Sequence, residues 1–172
     1  NRTLLLASGT VGSVVASNLE VAGAGTTLSF GGLIGNYINE VGSLNKTGAG
    51  TFVFSGTGLY TGPTVISGGT FDLQGTLNNS VPQATSQFAS GLGGTGTALT
   101  FQGAGGTFDY DYATAHPAAN TLPNPTIFEQ NMGALTVNGG DATVISSLGA
   151  TNIANGNTAI LQFSSLTANT AN

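Results

Sequence analysis

Charge is what this sequence lacks most. Only 5% of the 172 residues are charged; Arg2 and Lys46 are the only cations, seven residues are acidic, and the net charge is −5. Globular proteins usually carry about a quarter charged residues. Nucleic-acid binding depends on Lys and Arg that neutralise phosphates, and attraction to anionic lipid depends on the same residues. The composition therefore excludes a nucleic-acid partner and electrostatic binding to membranes.

Cysteine and long apolar runs are also missing. Without cysteine there are no disulfides and no thiolate chemistry. No apolar run approaches the roughly 20 residues of a membrane-spanning helix, so we expect no membrane insertion by this segment. The 3.6-residue period of amphipathic helices does not occur either. Because the chain starts with Asn1 rather than Met, we interpret it as a mature product or an excised segment.

Glycine is abundant instead. The chain has 28 glycines, about twice the usual share, and they follow short segments in which apolar and polar residues alternate. Short alternating segments closed by glycine turns predict an all-β protein. The predicted strands cover residues 3–6, 18–21, 26–30, 51–54, 63–66, 70–74, 98–102, 107–112, 134–138, 142–145 and 158–163.

Two all-β architectures fit this pattern, a parallel β-solenoid and a β-sandwich or jelly roll. Hairpin-linked strands favour Asn-Gly or Asp-Gly turns, and such dipeptides occur only at 138–139 and 155–156. We therefore favour the solenoid, as a single domain over 1–172. Coils of roughly 20 residues predict about eight rungs, and a stack on the order of 40 Å long.

Two stretches interrupt the strand pattern. Residues 103–133 contain three of the five prolines and the only His and Met. Proline cannot donate to an interior ladder, so we expect a loop excursion over 103–133. Residues 77–90 form a weaker interruption, for which we expect an irregular turn or a short helix.

The segment 42–77 carries a recognisable motif. It reads KTGAGTFVFSG at 46–56, YTG at 60–62 and GGTF at 68–71. This resembles the autotransporter-associated β-strand repeat, whose form is KTGxGTLxLSG…YTGxTxVxxGTL, with phenylalanine in place of leucine at Phe52, Phe54 and Phe71. The LGGTGT segment that follows at 92–97 is also similar to one that often follows such a repeat.

The resemblance implies a right-handed parallel β-helix from the passenger region of a bacterial autotransporter. It implies an extracellular or outer cell-surface location and a structural role as stalk, fibre or surface-layer unit. It implies no catalytic residue. Open coil ends expose unpaired backbone groups, so we expect self-association. The alternative is an adhesin in which 103–133 contacts a glycan or a host surface.

Asp109 and Asp111 are the first candidate site. They share one face of a predicted strand, and with His116 or Glu129 they would supply oxygen ligands for a cation. In the interpretation we favour, both aspartates lie on the solvent face while Phe108, Tyr110 and Tyr112 point inward. We therefore expect no metal and no cofactor.

An enzyme is the third class considered. Paired carboxylates cleave polysaccharides in some β-helix proteins, and His116 and Asp141 are available for a Ser-His-Asp set. No nucleophile elbow of the form GxSxG marks a serine, however. We expect no catalytic residue, and binding residues stay unassigned.

Tyrosine and lysine give the last candidates. Tyr60, Tyr110 and Tyr112 are candidates for an aromatic platform that binds sugar, but Tyr60 belongs to the repeat motif, where packing under a turn is the favoured role. Lys46 belongs to the same motif. We expect its amine to donate hydrogen bonds to carbonyls of the coil rather than to act as a base.

Overall fold

The computed structural model describes residues 3–6, 14–36, 41–74, 97–112, 127–148 and 158–169. All regular structure in these ranges is β-strand, so none of the described residues forms a helix able to cross a membrane. The strands are β1 (Thr3–Leu6), β2 (Val14–Glu20), β3 (Thr27–Phe30), β4 (Leu33–Asn36), β5 (Val41–Thr47), β6 (Thr51–Phe54), β7 (Thr57–Gly58), β8 (Thr64–Ile66), β9 (Thr70–Gln74), β10 (Leu99–Phe101), β11 (Gly105–Tyr112), β12 (Ile127–Val137), β13 (Asp141–Leu148) and β14 (Thr158–Ala168).

The strands form three parallel sheets. Sheet A has the order β1-β4-β7, sheet B the order β2-β5-β8-β10-β12-β14, and sheet C the order β3-β6-β9-β11-β13. Every strand pairing among the described residues is parallel. From β1 to β9 the chain passes through sheets A, B and C in turn, and the described strands from β10 to β14 alternate between sheets B and C, one rung per coil. The fold is a parallel β-solenoid, and the sandwich alternative is wrong. Crossovers of this kind are nearly always right-handed, as the resemblance implies.

The stack is shorter than the sequence predicts. Sheet B has six strands in the described residues, which at about 4.8 Å per strand gives about 24 Å rather than 40 Å. The coils differ in length: Leu44 pairs with Thr64, 20 residues later, whereas Thr64 pairs with Leu99, 35 residues later. The motif sets the shortest coil, and the prediction of eight rungs wrongly applied its length to all coils.

The predicted excursion over 103–133 is wrong at both ends. Residues 105–112 form β11 in sheet C, and residues 127–133 belong to β12 in sheet B. The first half of β12 does not alternate between apolar and polar residues, because one of its buried positions is the polar Gln130. The Gln130 amide is satisfied inside the core by donating to the carbonyl of Asn131 at 3.1 Å. The remaining residues 113–126, with all three prolines, lie outside the described residues, as does the interruption at 77–90.

The core consists of columns of side chains that stack from coil to coil. In sheet C the register aligns Phe52, Phe71 and Phe108, with ring centroids 5.2 and 5.7 Å apart. Each of the three is at most 1% exposed. Burying one such side chain contributes about 1.5–3 kcal/mol. The column therefore ties three successive rungs into one core.

One glycine of the motif is required by its position. Gly69 has φ 68°, a conformation that glycine adopts without strain. A Cβ at Gly69 would also overlap the carbonyl of Gly50 in the preceding coil. Gly69 therefore lets two turns stack directly on each other.

Candidate functional site

Lys46 closes the turn between sheets B and C. Its Nζ donates to the carbonyl oxygens of Thr47 and Gly48, both at 2.9 Å, and of Gly68 in the next coil at 3.1 Å. The residue is fully buried, and burial lowers the pKa of its amine. Since the turn interrupts the backbone ladder, the carbonyls of Gly48 and Gly68 need another donor, whereas the carbonyl of Thr47 also accepts from the backbone N–H of Val21 at 3.1 Å. The predicted role of Lys46 is confirmed.

Tyr60 is also structural. Its ring is fully buried, and its hydroxyl forms a hydrogen bond of 2.5 Å with Oγ1 of Thr64. Thr64 Oγ1 in turn lies 3.2 Å from Thr97 Oγ1. Burial raises the pKa of the Tyr60 phenol far above its usual range. This hydroxyl chain joins two rungs inside the core, as the predicted packing role requires.

The proposed sugar platform is wrong for two of its three residues. Tyr60 and Tyr110 are both 0% exposed, so neither ring can stack on a ligand. Phe108 is also buried, as the sequence predicts for this strand. The side chain of Tyr112 lies outside the described residues.

Three aspartates form an acidic row on the outer face of sheet C. The register places Asp72 of β9 beside Asp109 of β11, and Gln74 beside Asp111. Gln74 Nε2 donates to Asp72 Oδ2 at 3.1 Å. Asp72 Oδ1 is buried and has no hydrogen-bond partner. The aspartates are half-buried rather than fully on the solvent face.

Ser147 of β13 continues the row. Its hydroxyl lies 3.2 Å from Asp111 Oδ1 and 3.4 Å from Asp109 Oδ1, and donates toward both. Burial raises the pKa of Asp72 to about 6, and the charges of Asp111 and Asp109 add to the shift. Burial and the charge of Asp111 also raise the pKa of Asp109. The row is thus able to hold a proton close to neutral pH.

The candidate cation site lies only partly within the described residues. Asp109 lies on sheet C, whereas Glu129 lies on β12 of sheet B, with its side chain outside the described residues. His116 also falls outside them. Among the residues that the structure describes, no group of three His, Cys, Asp or Glu side chains is placed to hold a metal ion. Asp141, the acid of the Ser-His-Asp set considered from the sequence, is exposed at the start of β13.

Polar side chains also line the outer face of sheet B. Asn45 Nδ2 donates to Asn18 Oδ1 at 2.9 Å, and Ser67 donates to Asn45 Oδ1 at 2.8 Å. Gln102 Nε2 donates to the Ser67 hydroxyl at 3.3 Å. One line of hydrogen bonds therefore crosses four rungs, and the amides serve the stack.

Sequence reasoning missed Asp72 as the partner of Asp109, and Thr97 as the partner of Thr64. Each pair joins coils separated by more than 30 residues. The alternation in 70–74 shows that Asp72 faces outward, but not which later strand pairs with it. The only available signal was the shared pattern Thr-Phe-Asp at 70–72 and 107–109.

The comparisons with known proteins agree with this geometry. The model of the passenger-associated-transport-repeat family matches residues 44–73, from the middle of β5 into β9. Comparison with curated proteins and with solved structures gave no significant match. The match confirms the resemblance over this span: residues 44–73 are a passenger-type repeat, which indicates a passenger segment of a secreted autotransporter.

Proposed function

We propose that this chain is a rigid structural segment of a bacterial secreted or cell-surface protein, serving in a stalk, fibre or surface layer, and that it associates with itself. The repeat at 44–73 supports the passenger assignment. The parallel stack supports rigidity, because each rung is hydrogen-bonded to the next along the backbone.

One observation carries the proposal: the large side chains of the motif are buried in the core, where no ligand reaches them. Lys46, Phe52, Phe54, Tyr60 and Phe71 are all at most 1% exposed. A motif devoted to ligand binding would present side chains to solvent, whereas this one builds the junction between two coils. What repeats from coil to coil is therefore packing.

Surface labelling tests the location, and light scattering tests self-association. An antibody against the intact chain should label unpermeabilised cells of the producing bacterium, and external protease should remove the label. The purified chain should show a mass above 16.9 kDa that rises with concentration. A purely intracellular signal, or a monomer at every concentration, would contradict the respective part of the proposal.

The adhesin is the alternative function. Because β11 and β12 occupy both flanks of 103–133, the candidate contact segment narrows to 113–126. Replacing 113–126 with a glycine-serine linker of equal length should leave glycan or host-cell binding unchanged if the role is structural. Loss of binding by a folded variant would favour the adhesin.

A structural role requires no catalytic residue or cofactor. The paired carboxylates that suggested an enzyme, Asp109 and Asp111, both face the hydroxyl of Ser147, which donates toward each. The double variant Asp109→Asn/Asp111→Asn would decide the matter if polysaccharide cleavage by the native chain were observed. Loss of that cleavage in the variant would restore the enzyme hypothesis.

A further inference from the structure

Three neighbouring strands of sheet B repeat one pentapeptide pattern. Residues 98–102 read ALTFQ around β10, residues 134–138 read ALTVN at the end of β12, and residues 165–169 read SLTAN at the end of β14. The register aligns the threonines of the three strands in one column on the outer face of the sheet, with the amides two positions further on. We call this set the Thr-amide face; its members are Thr100, Gln102, Thr136, Asn138, Thr167 and Asn169.

The pattern keeps its outward residues more strictly than its inward ones. The leucine of each copy points into the coil, and so does the residue two places later, which changes from Phe101 to Val137 to Ala168. The outward threonine does not change, and the outward amide alternates only between Gln and Asn. Close packing constrains buried positions most, so packing alone does not explain why the outward pair is kept.

The side chains of the Thr-amide face keep hydrogen-bonding capacity for solvent. Gln102 and Asn138 are exposed although β10 and β12 each have a strand on both sides. Gln102 engages Ser67 through Nε2, and Asn138 accepts from Asn169 through Oδ1 at 2.6 Å. The Gln102 carbonyl and the Asn138 amino group therefore stay available. Within the ranges that the structure describes, the threonine hydroxyls of the face have no protein partner.

The Thr-amide face is regular and uncharged. Neighbouring strands are about 4.8 Å apart, and successive outward residues on one strand are about 6.6 Å apart. None of its six residues is charged, and the outward position before each threonine is alanine or serine. Sheet C differs, because its outward threonines Thr70 and Thr107 lie next to Asp72 and Asp109. The chain thus has two threonine columns, of which only the one on sheet B has exposed amides beside it.

Hydroxyl and amide side chains in such an array match the hydroxyl groups of sugars. A hydroxyl both donates and accepts, and an amide does so through separate atoms, so each rung offers a pair of partners to one sugar ring. An extended β-1,4-linked chain has a residue length close to the rung spacing of about 4.8 Å. A neutral glycan fits better than an anionic one, because the chain has only two cations and a net charge of −5.

We propose that the Thr-amide face binds an extended, uncharged polysaccharide chain that lies along the axis of the stack, one sugar residue to each rung. This inference goes beyond the structural role, which stands whether or not the face binds a glycan. Each hydrogen bond exchanged with water contributes little to affinity, so several rungs act together and the ligand is a polymer rather than a single sugar. The rigid stack aligns the columns before the ligand arrives, which lowers the entropic cost of binding.

Calorimetric titration with hexamers of β-1,4-linked glucose and of β-1,4-linked N-acetylglucosamine tests the proposal. At least one hexamer should bind the native chain. Thr100→Val/Thr136→Val keeps the shape of both side chains but removes two hydroxyls, so the Kd should rise by about tenfold or more. The matched control Thr70→Val/Thr107→Val makes the same change on two neighbouring rungs of sheet C and should bind like the native chain. Circular dichroism checks that both variants are folded.

The length and the charge of the ligand provide a second readout that needs no substitution. Affinity should rise from the monosaccharide to the dimer and again to the trimer, because each added sugar reaches one more rung. A hexamer of galacturonic acid should bind more weakly than the neutral hexamers, since its carboxylates approach a chain with a net charge of −5.

The outcomes separate this inference from the structural role. No binding of either neutral hexamer, or a monosaccharide that binds as tightly as a hexamer, overturns the inference and leaves the structural role untouched. Equal weakening by the two double variants does the same, and loss of binding only when 113–126 is replaced supports the adhesin alternative instead. If neither hexamer binds but Thr100→Val/Thr136→Val lowers the mass in light scattering, the face is an interface between copies and the inference is wrong.

Discussion

The buried amine of Lys46 gives the most specific expectation at the scale of single residues. Lys46→Met keeps the length of the side chain but removes the donor that serves the carbonyls of Thr47, Gly48 and Gly68. Each buried polar group left without a partner costs about 1–3 kcal/mol. The carbonyl of Thr47 keeps the backbone N–H of Val21, so the carbonyls of Gly48 and Gly68 lose their donor, and we expect the free energy of unfolding in urea to fall by about 2 kcal/mol or more. A Thr47→Val variant, which leaves all three acceptors in place, serves as the control, and equal losses for both would contradict this role.

Asp72 makes stability depend on pH with an unusual sign. Its pKa is about 6 in the fold and about 3.9 in an unfolded chain. Between these values the folded state binds more protons than the unfolded state, so the free energy of unfolding falls as pH rises from about 4 to about 6. Above about pH 6 Asp72 is ionised in both the folded and the unfolded state, so it no longer changes the free energy of unfolding. Urea denaturation at successive pH values measures the slope.

The variant Asp72→Asn should reduce that slope, because its amide does not titrate. Asp141→Asn is the matched control, since Asp141 lies exposed on the same sheet. Asp109 contributes in the same direction, because its pKa is also raised. A slope that survives in Asp72→Asn but disappears in Asp141→Asn would show that the acidic row is not its source.

These two residues differ in how far the sequence predicts them. Lys46 sits in a motif, and a lone cation among turn glycines has few partners besides carbonyls, so its role was predictable. The pKa of Asp72 is raised mainly by burial under the packed sheet, and the charges of Asp111 and Asp109, which lie 39 and 37 residues later, add to the shift. Their proximity depends on the length of the intervening coil, which the sequence pattern does not set.

At the scale of elements, the phenylalanine column of sheet C links three strands. Phe71 lies between Phe52 and Phe108 and is fully buried. Truncating a buried phenylalanine costs about 3–5 kcal/mol, because the surrounding coils collapse only partly around the cavity. We expect Phe71→Ala to lower the free energy of unfolding by that amount. Val53→Ala, on the outer face of the neighbouring strand, should cost far less, and a similar cost for both would argue against the column.

The alternation of buried and half-exposed residues along a strand explains which strands the sequence predicts. β6 and β9 alternate cleanly between buried and half-exposed residues, and both were predicted with their observed bounds. β5 was missed because two of its buried residues, Ser43 and Lys46, are polar. β7 has only two residues, too few for any period to show. Strand prediction therefore fails where polar groups are buried or the strand is very short.

At the scale of the whole molecule, the parallel stack follows from the scarcity of hairpin turns, while its length does not follow from the motif. The motif coil advances from Leu44 to Thr64, and the later coils are much longer because extra residues join sheet C back to sheet B. Extra residues in a loop cost little closure entropy. A solenoid therefore tolerates them without losing its register, and the rung count cannot be read from the repeat alone.

Because each coil contacts only its neighbours, the stack should open from its ends. Amide hydrogen exchange of the monomeric protein should be fastest in β14, an edge strand with exposed side chains, and slowest in β8 and β9, which are paired on both sides. We expect protection to differ by more than tenfold between these strands. Uniform exchange along the stack would mean instead that the chain unfolds as one unit.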